Sequence, residues 1–242
     1  MTTEQSKEAP VQIRLPKHLE PRILFEDTHL VVLDKPAGLL SQGEHTGDVN
    51  LVDWLRGYFG RNYVGLVHRL DRNTSGVMVV AKRTKSAQRL TESLQKGALR
   101  RSYITWVDGR VTRDLHLKHF LLKNEKTNEV HVVPEGTRGA KVAILDAHPV
   151  GLGRYSGCEL SLLEVELDTG RSHQIRVQLA AAGHPLLGDR KYAKKQALHA
   201  FDRPALHSCR IEFPHPMGGE RVRIDCPMPA DMAAISTSES EI

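Results

Sequence analysis

One carboxylate in the sequence lies between two arginines, just before an apolar run. Asp71 has Arg69 and Arg72 as neighbours, and the turn-forming residues 73–76 lead from it into the apolar segment 77–81. Nearby positive charge favours the ionised form of a carboxyl group, which suits a nucleophile or a base and does not suit a general acid. The alternative is that Asp71 only organises its turn through side-chain to backbone hydrogen bonds. Spacing alone leaves both interpretations open.

A second polar cluster follows a Gly-Arg turn in the segment 168–192. Ser172 is placed to cap a helix, with Arg171, His173 and Arg176 in or near its first turns. Backbone N–H groups and positive charge together favour an anion at a helix N-terminus. These residues therefore form a candidate seat for a phosphate or a carboxylate. The alternative is a capped amphipathic helix whose arginines are only solvated.

Motifs for other chemistries are mostly missing. There is no Walker loop and no HExxH, and the glycines of residues 151–157 have the wrong spacing for a dinucleotide fingerprint. His116 and His119 are spaced to hold a metal on a helix, but a chain with 13 histidines often contains such a pair by chance. Ser75 lacks the GxSxG context of a serine hydrolase. We therefore expect no metal and no cofactor.

The composition is that of a globular protein with a local excess of positive charge. Of the 242 residues, 40% are hydrophobic and 26% are charged, which allows a sizeable core and excludes disorder of the whole chain. Residues 67–103 carry nine basic and two acidic side chains, a net charge of +7, whereas the whole chain carries +5. This concentration favours a nucleic-acid surface, with a solvated helix face as the alternative.

The sequence also limits where the protein acts. No segment approaches the roughly 18 to 20 apolar residues of a membrane span, and residues 1–10 are too polar for a signal peptide. The three cysteines, Cys158, Cys209 and Cys226, fit reduced thiols better than disulfides or a zinc site. We expect a cytoplasmic protein without membrane contact.

Hydrophobic periodicity and turn residues predict the elements that position the two polar segments. The predicted strands cover residues 30–33, 77–81, 102–107, 160–167, 205–213 and 221–225. The predicted helices run from an Asn50 cap to Gly60, from a Thr84 cap to Gly97 and from a Ser172 cap to Gly183. Strands outnumber helices without regular alternation, which indicates an α+β fold with a mixed, mostly antiparallel central sheet and flanking helices.

The ends of the chain contrast with its centre. Residues 1–20 and 233–242 are polar and lack a sustained period, so we expect a flexible N-terminal extension and a flexible tail. Residues 21–232 contain no linker and no repeat. They form one predicted domain.

Four motifs, taken in order, resemble those of the RluA-type pseudouridine synthases. They are DKPAGL at 34–39, HRLDRNTSG at 68–76, RSYITWVDG at 101–109 and TGRSHQIRVQLAAAGHPLLGD at 169–189. The resemblance covers residues 23–225, and the HRLD form is similar to the RluA type rather than to the related type with GRLD. Within the fourth motif, Gln178 replaces a histidine that is frequent in the family.

The resemblance implies an isomerase that converts uridine in RNA to pseudouridine without a cofactor. Asp71 matches the catalytic aspartate, which acts as a nucleophile on ribose C1′ or as a base on the 2′ proton. Arg176 matches the arginine that pairs with this aspartate, and Tyr103 matches the tyrosine that stacks on the target base. Arg69 matches the residue that fills the space left by the extruded base.

The basic cluster and the segment 168–192 supply further candidate contacts with RNA. The candidate RNA-binding residues besides Arg69 are Arg72, Lys85, Arg89, Arg171 and His173. Structured RNA, ribosomal or transfer, is the expected partner, with no protein partner and a monomeric chain.

Two other classes of protein compete with this interpretation. A non-catalytic RNA-binding protein would share the fold, but the intact Asp71, Tyr103 and Arg176 argue against it. A hydrolase, such as a nuclease or a glycosidase, would use Asp71 with another acid. A retaining or inverting glycosidase needs two carboxyl groups flanking the scissile bond, and the HRLDRNTSG motif offers one.

Overall fold

The computed structural model describes residues 13–43 and 47–238. Its strands are β1 Arg22–Glu26, β2 Leu30–Lys35, β3 Gly65–Leu66, β4 Ser75–Ala81, β5 Arg100–Asp108, β6 Leu115–Asn124, β7 Glu129–Val133, β8 Lys141–Tyr155, β9 Cys158–Leu167, β10 Leu206–Pro214, β11 Arg221–Asp225 and β12 Ser236–Ser238. Its helices are α1 Leu51–Phe59, α2 Thr84–Gln95, α3 Gln174–Ala181 and α4 Ala230–Ala233, with 3₁₀ turns at Lys17–Leu19 and Gln196–Ala200. Within these residues no helix is long and apolar enough to cross a membrane.

The strands form one continuous sheet. Its main path runs β1-β2-β4-β10-β5-β9-β8-β6-β7, with β3 beside β4, β11 beside β10 and β12 beside β8. Strands β4 and β10 pair in parallel, and every other pair in the described part of the chain is antiparallel. The predicted α+β fold with a mixed, mostly antiparallel sheet is confirmed.

Both faces of the sheet centre are covered, which explains the continuous apolar run in β2. Val31 and Leu33 pack in the cluster that contains residues of α1 and α3, whereas Leu30 and Val32 pack in the cluster under α2. Successive side chains of a strand point to opposite faces, so a strand covered on both sides needs apolar residues at every position. The helices α1 and α3 therefore lie on one face of the sheet and α2 on the other.

The start of α1 agrees with the prediction, and the starts of α2 and α3 differ from it. The Asn50 side chain accepts a hydrogen bond from the Asp53 N–H and caps α1. Thr84 is the first residue of α2 and makes no cap bond. Ser172 is not the cap of α3, because His173 adopts a left-handed conformation with φ of 53° and the helix begins at Gln174. The Gln174 side chain accepts from the Arg171 N–H at 2.9 Å instead.

The strands β6, β7 and β8 lie in a part of the chain for which the sequence predicted no elements. His116 and His119 lie on β6, not on a helix. Their odd separation sends them to opposite faces of the sheet, where His116 bonds Asp146 at 2.6 Å and His119 lies near Gln178. The two imidazoles are therefore not arranged to share a metal ion.

The folded part of the chain extends further toward both termini than predicted. Leu15 and Leu19 pack against the main core, Ile235 is buried, and β12 pairs with β8. These contacts correct the predicted flexibility for residues 13–20 and 233–238, because apolar side chains there complete the core. Residues 1–12 and 239–242 lie outside the described residues.

Candidate active site

The two polar segments of the sequence meet across one cavity of about 930 Å³. Asp71 and Arg69 come from the loop before β4, Tyr103 comes from β5, and His173 and Arg176 come from the start of α3. Tyr103 belongs to the same core cluster as residues of α3, so the sheet and this helix meet beside the cavity. The fold thus brings together all three residues predicted to be catalytic.

Arg176 links Asp71 to a second, buried carboxylate. Its Nη1 donates to Asp71 Oδ2 at 3.3 Å, while its Nε and Nη2 donate to the two oxygens of Asp189 at 2.7 and 2.8 Å. Burial opposes the charged form of Arg176, yet Asp189 and then Asp71 raise its pKa above the ordinary value. Arg176 is therefore a fixed cation that holds the Asp71 carboxylate.

The side chain of Asp71 does not organise its own turn. Its backbone carbonyl accepts from the Thr74 N–H at 3.1 Å, whereas the hydrogen bond of its carboxylate in the described residues goes to Arg176. The interpretation of Asp71 as a turn organiser is therefore wrong. The carboxylate is 29% exposed, so it is open to the cavity and anchored from one side.

Lys35, at the end of β2, holds the loops around this turn. Its buried ammonium donates to the carbonyls of Pro36, Leu39 and Arg72 at 2.8 to 3.1 Å. Burial lowers the pKa of Lys35 to about 7, against the opposing effect of the nearby Asp71 charge. Lys35 of the DKPAGL motif thus fixes the backbone of Arg72, the residue after Asp71.

A glycine next to the turn lets β4 approach β10. Gly76 has φ of 114°, and a Cβ at this position would collide with the backbone of Ser208. A side chain there would push apart the parallel pair of β4 and β10, in which Gly76 is opposite Ser208. The loop carrying Asp71 is fixed to the sheet by this close contact.

Tyr103 is a buried aromatic residue that reaches the cavity from the sheet. It is 4% exposed, and burial raises the pKa of its hydroxyl. The phenol therefore stays neutral at physiological pH. Its ring is held by neighbours on β9 and β10, where Val165 and Ser208 are opposite it.

His173 and Tyr192 form a hydrogen-bonded pair beside Asp71. His173 Nδ1 is 2.7 Å from the Tyr192 hydroxyl, and its Nε2 is 3.9 Å from Asp71 Oδ2. Burial lowers the pKa of His173, although the Asp71 charge opposes this effect. The Tyr192 hydroxyl also accepts from the Val130 N–H at 2.9 Å, so the pair connects the site to β7.

The arginines adjacent to Asp71 in sequence are not its partners. Arg72 donates to Asp48 at 2.9 Å and to the Gly38 carbonyl at 3.1 Å, and Arg69 is exposed at the cavity rim. Arg171, also exposed and at the rim, donates to the Val142 carbonyl at 3.0 Å. The expectation that Arg69 and Arg72 keep Asp71 ionised is corrected, because Arg176 supplies the contact from 105 residues away.

Lys85 and Arg89 lie on α2 outside the cavity lining. Both are exposed, and Arg89 donates to the Pro216 carbonyl at 2.6 Å. The other end of α2 lines the cavity through Leu94 and Gln95, about 15 Å along the helix from Lys85. Any RNA that they contact lies beside the cavity rather than in it.

Gln178 has a structural position. It is fully buried, and its Nε2 donates to the carbonyls of Leu117 and Ala143 at 3.0 and 3.1 Å. It therefore ties α3 to β6 and β8 and makes no contact with Asp71.

The sequence reasoning missed Asp189, Lys35 and Tyr192 as parts of the site. All three lay in or next to the quoted motifs, but no local pattern gave them a role. Two of them could have been found because a charged residue directly follows an apolar segment. Lys35 ends an apolar strand, and Asp189 follows the apolar run that ends at Gly188. A charged residue in such a context is rarely buried unless it is paired.

The comparisons with known proteins agree with this geometry. Residues 29–181 match the family described as RNA pseudouridylate synthase. The chain is 34% identical to "Ribosomal large subunit pseudouridine synthase D" of Zymomonas mobilis subsp. mobilis, over 92% of this chain and 76% of that protein. It is 33% identical to "Ribosomal large subunit pseudouridine synthase C" of Pasteurella multocida, over 96% of this chain and 72% of that protein.

A solved structure shares the fold. "Human RNA Pseudouridylate Synthase Domain Containing 1" superposes with a TM-score of 0.75 and 23% identity, over 93% of this chain and 92% of that one. The fold and the site therefore define the class as a pseudouridine synthase domain of the α+β type. The chain belongs to the RNA pseudouridylate synthase family, and it is an isomerase. The resemblance to the RluA type is confirmed.

Proposed function

We propose that this protein isomerises a uridine of large-subunit ribosomal RNA, with Asp71 as the catalytic carboxylate. The observation that carries the proposal is the 3.3 Å hydrogen bond from Arg176 to an Asp71 carboxylate that remains open to the cavity. The names of the two bacterial relatives support ribosomal RNA as the substrate. Transfer RNA is the competing substrate.

The reaction breaks the bond between N1 of the base and ribose C1′, rotates the base and joins C5 to C1′. The C5 proton then leaves and N1 gains a proton, so the composition of the nucleoside is unchanged. Asp71 acts at the sugar, as the nucleophile on C1′ or as the base on the 2′ proton. Both routes use the carboxylate oxygens of Asp71, one of which Arg176 orients through its hydrogen bond. The two hydrogen bonds to Asp189 keep this cation in place.

Tyr103 and Arg69 would act on the base. The buried ring of Tyr103, which lines the cavity, would offer a flat surface for the extruded uracil, and its hydroxyl would assist removal of the C5 proton. Base extrusion costs a few kcal/mol, and the exposed guanidinium of Arg69 can offset part of this cost by stacking in the vacated space. Arg72, Arg171 and His173 would contact the flanking nucleotides, and Lys85 and Arg89 the more distant backbone.

The decisive experiment replaces Asp71 by asparagine. The variant should fold and bind RNA but form no pseudouridine, because the amide cannot act as a nucleophile or a base. Carbodiimide-based sequencing of RNA from cells with the wild-type protein, the variant or neither identifies the modified position. Asp114→Asn, at a carboxylate that is 70% exposed, is the control and should behave as wild type. Activity of Asp71→Asn within tenfold of wild type contradicts the assignment.

We also propose that the protein acts as a monomer in the cytoplasm, with a catalytic domain that comprises residues 21–232 and the packed residues 13–20 and 233–238 on either side. The described residues of one chain bring Asp71, Tyr103 and Arg176 to the same cavity, so this set of residues requires no second copy. Light scattering after size-exclusion chromatography should give one chain, near 27.1 kDa. A dimer in this experiment contradicts the proposed state.

A further inference from the structure

Arg101 is a buried arginine at the edge of the proposed active site. It lies on β5 two residues before Tyr103, and this even spacing directs both side chains to the same face of the sheet. It is only 6% exposed, yet it belongs to the lining of the cavity that contains Asp71. The local basic run of the sequence had suggested a solvated or outer phosphate-binding role for this region.

The guanidinium of Arg101 has no partner within residues 13–43 and 47–238. No ion pair or hydrogen bond reaches it there, and its Nε is fully buried without an acceptor. Its Nη1 instead lies so close to the backbone of Gly170 that a Cβ there would contact it. Together with burial, the Arg101 charge lowers the pKa of the neighbouring His68 to about 3, so this imidazole stays neutral and does not add a second positive charge.

A buried cation without a partner destabilises a folded protein, because part of its hydration is lost and no acceptor replaces it. The Arg101 Nε is buried in this way, whereas its Nη atoms face the cavity. The acidic side chain closest to the chemistry, Asp71, is already bonded to Arg176. The partner that pairs with the Arg101 guanidinium must therefore be an anion that enters the cavity from solution. A planar guanidinium matches the oxygens of a phosphate with two parallel hydrogen bonds.

We propose that Arg101 binds a backbone phosphate of the target nucleotide and so fixes its ribose against Asp71. The proposal rests on the proposed RNA substrate, whose anionic groups are its phosphates. It differs from the rim contacts of Arg69 and Arg171, which are exposed and solvated. Arg101 is a substrate-binding residue inside the cavity, and the neutral His68 and the side-chain-free Gly170 leave room for it.

The first experiment measures anion binding without any assumption about the RNA. Inorganic phosphate should raise the melting temperature of wild type more than matched chloride does, because it binds the folded state alone. Arg101→Met should lose this difference. Arg110→Met, which removes an exposed arginine just beyond the other end of β5, should keep it. Equal phosphate stabilisation of wild type and Arg101→Met overturns the proposal.

The second experiment measures catalysis on unmodified, transcribed large-subunit ribosomal RNA labelled with tritium at uridine C5. Arg101→Met should lower kcat/KM by about 10- to 100-fold, as expected for a lost charged hydrogen bond. The dependence of log KM on log salt should flatten by about 0.7, the value for one phosphate contact. Arg101→Lys should restore the salt dependence but only part of kcat/KM. Unchanged kcat/KM in Arg101→Met overturns the proposal.

Stability separates ligand binding from a structural role. Removing an unpaired buried charge should leave the melting temperature of Arg101→Met, measured without phosphate, equal to or above that of wild type. A lower melting temperature with parallel loss of activity assigns Arg101 to folding and contradicts the proposal. A wild-type protein that releases no tritium from this RNA contradicts the proposed substrate, while the phosphate experiment still decides the role of Arg101.

Discussion

The buried carboxylate of Asp189 holds Arg176 with hydrogen bonds of 2.7 and 2.8 Å, and one arm of the same guanidinium reaches Asp71 at 3.3 Å. Asp189 is itself fixed by the backbone N–H groups of Lys191 and Tyr192 at 3.0 and 3.3 Å. The position of the proposed catalytic carboxylate is therefore set by a chain of charged contacts that begins inside the protein.

Asp189→Asn should weaken the site without touching the substrate. The amide keeps one acceptor oxygen and loses the negative charge, which leaves a buried arginine partly uncompensated, and breaking such a pair costs about 3 to 5 kcal/mol. Urea unfolding should show this loss, and turnover of the remaining folded protein should fall because Arg176 is no longer held. The control is Asp231→Asn, which weakens a similar two-bond pair with Arg203 at a 45% exposed carboxylate. It should cost less than Asp189→Asn, because Arg203 keeps the carbonyls of Pro204 and Leu206 as acceptors.

Arg176→Lys should recover little of the activity that Arg176→Met loses. A lysine ammonium is a point charge on a flexible stem and cannot bond Asp189 and Asp71 in one plane. Single-turnover rates on the mapped RNA measure the effect. Full activity of the lysine variant would indicate that charge alone matters at this position.

His68 should make the folded state sensitive to acid. Burial, with a smaller effect from Arg101, lowers the pKa of His68 to about 3 from its ordinary 6.5. The unfolded chain therefore protonates His68 near pH 6.5, whereas the folded protein protonates it only near pH 3. Stability from this group is complete above pH 6.5 and is lost as the pH falls toward 3, by up to about 1.4 kcal/mol per pH unit.

The variant that tests this dependence is His68→Gln. Its amide oxygen can accept from the Val79 N–H, as His68 Nε2 does at 3.2 Å, but it does not titrate. The difference in unfolding free energy between wild type and variant, measured in urea at about pH 7, 6 and 5, should shrink or reverse as the pH falls. A constant difference across this range would show that the folded protein protonates His68 normally.

Replacing Lys85 and Arg89 together by glutamine should weaken RNA binding at low salt. If each contacts a phosphate, the slope of log affinity against log salt should flatten by about 0.7 to 0.9 per residue, with turnover on saturating RNA largely kept. Arg113→Gln with Arg110→Gln, at two exposed positions beyond β5, is the matched charge control. An unchanged slope in the Lys85 and Arg89 variant would make α2 a solvated face.

The sequence determined what local chemistry and periodicity control. The apolar runs of β2 and β4 could be predicted because strands buried on both faces need apolar residues at each position. The Asn50 cap and the Gly60 end of α1 depend on neighbouring residues alone. Four motifs in order carried the family and directed attention to Asp71, Tyr103 and Arg176.

Periodicity failed where local signals conflict with the fold. No strand was predicted between residues 115 and 155, because the polar and exposed positions of β6 and β8 interrupt the apolar pattern. Ser172 had the right chemistry for a cap, but the left-handed turn at His173 delays the helix to Gln174.

Only the tertiary structure decided which charges meet. Asp71 has two arginines beside it in sequence, yet it bonds a third one 105 residues away, and Arg72 turns to Asp48 instead. Arg101 counts as one more surface charge in the sequence, and its place on the covered face of β5 makes it a buried cation at the cavity. Whether a strand side chain is buried depends on which face of the sheet the rest of the chain covers. Whether two charged groups pair depends on the distance that packing leaves between them. The spacing of neighbouring residues in the sequence determines neither of these.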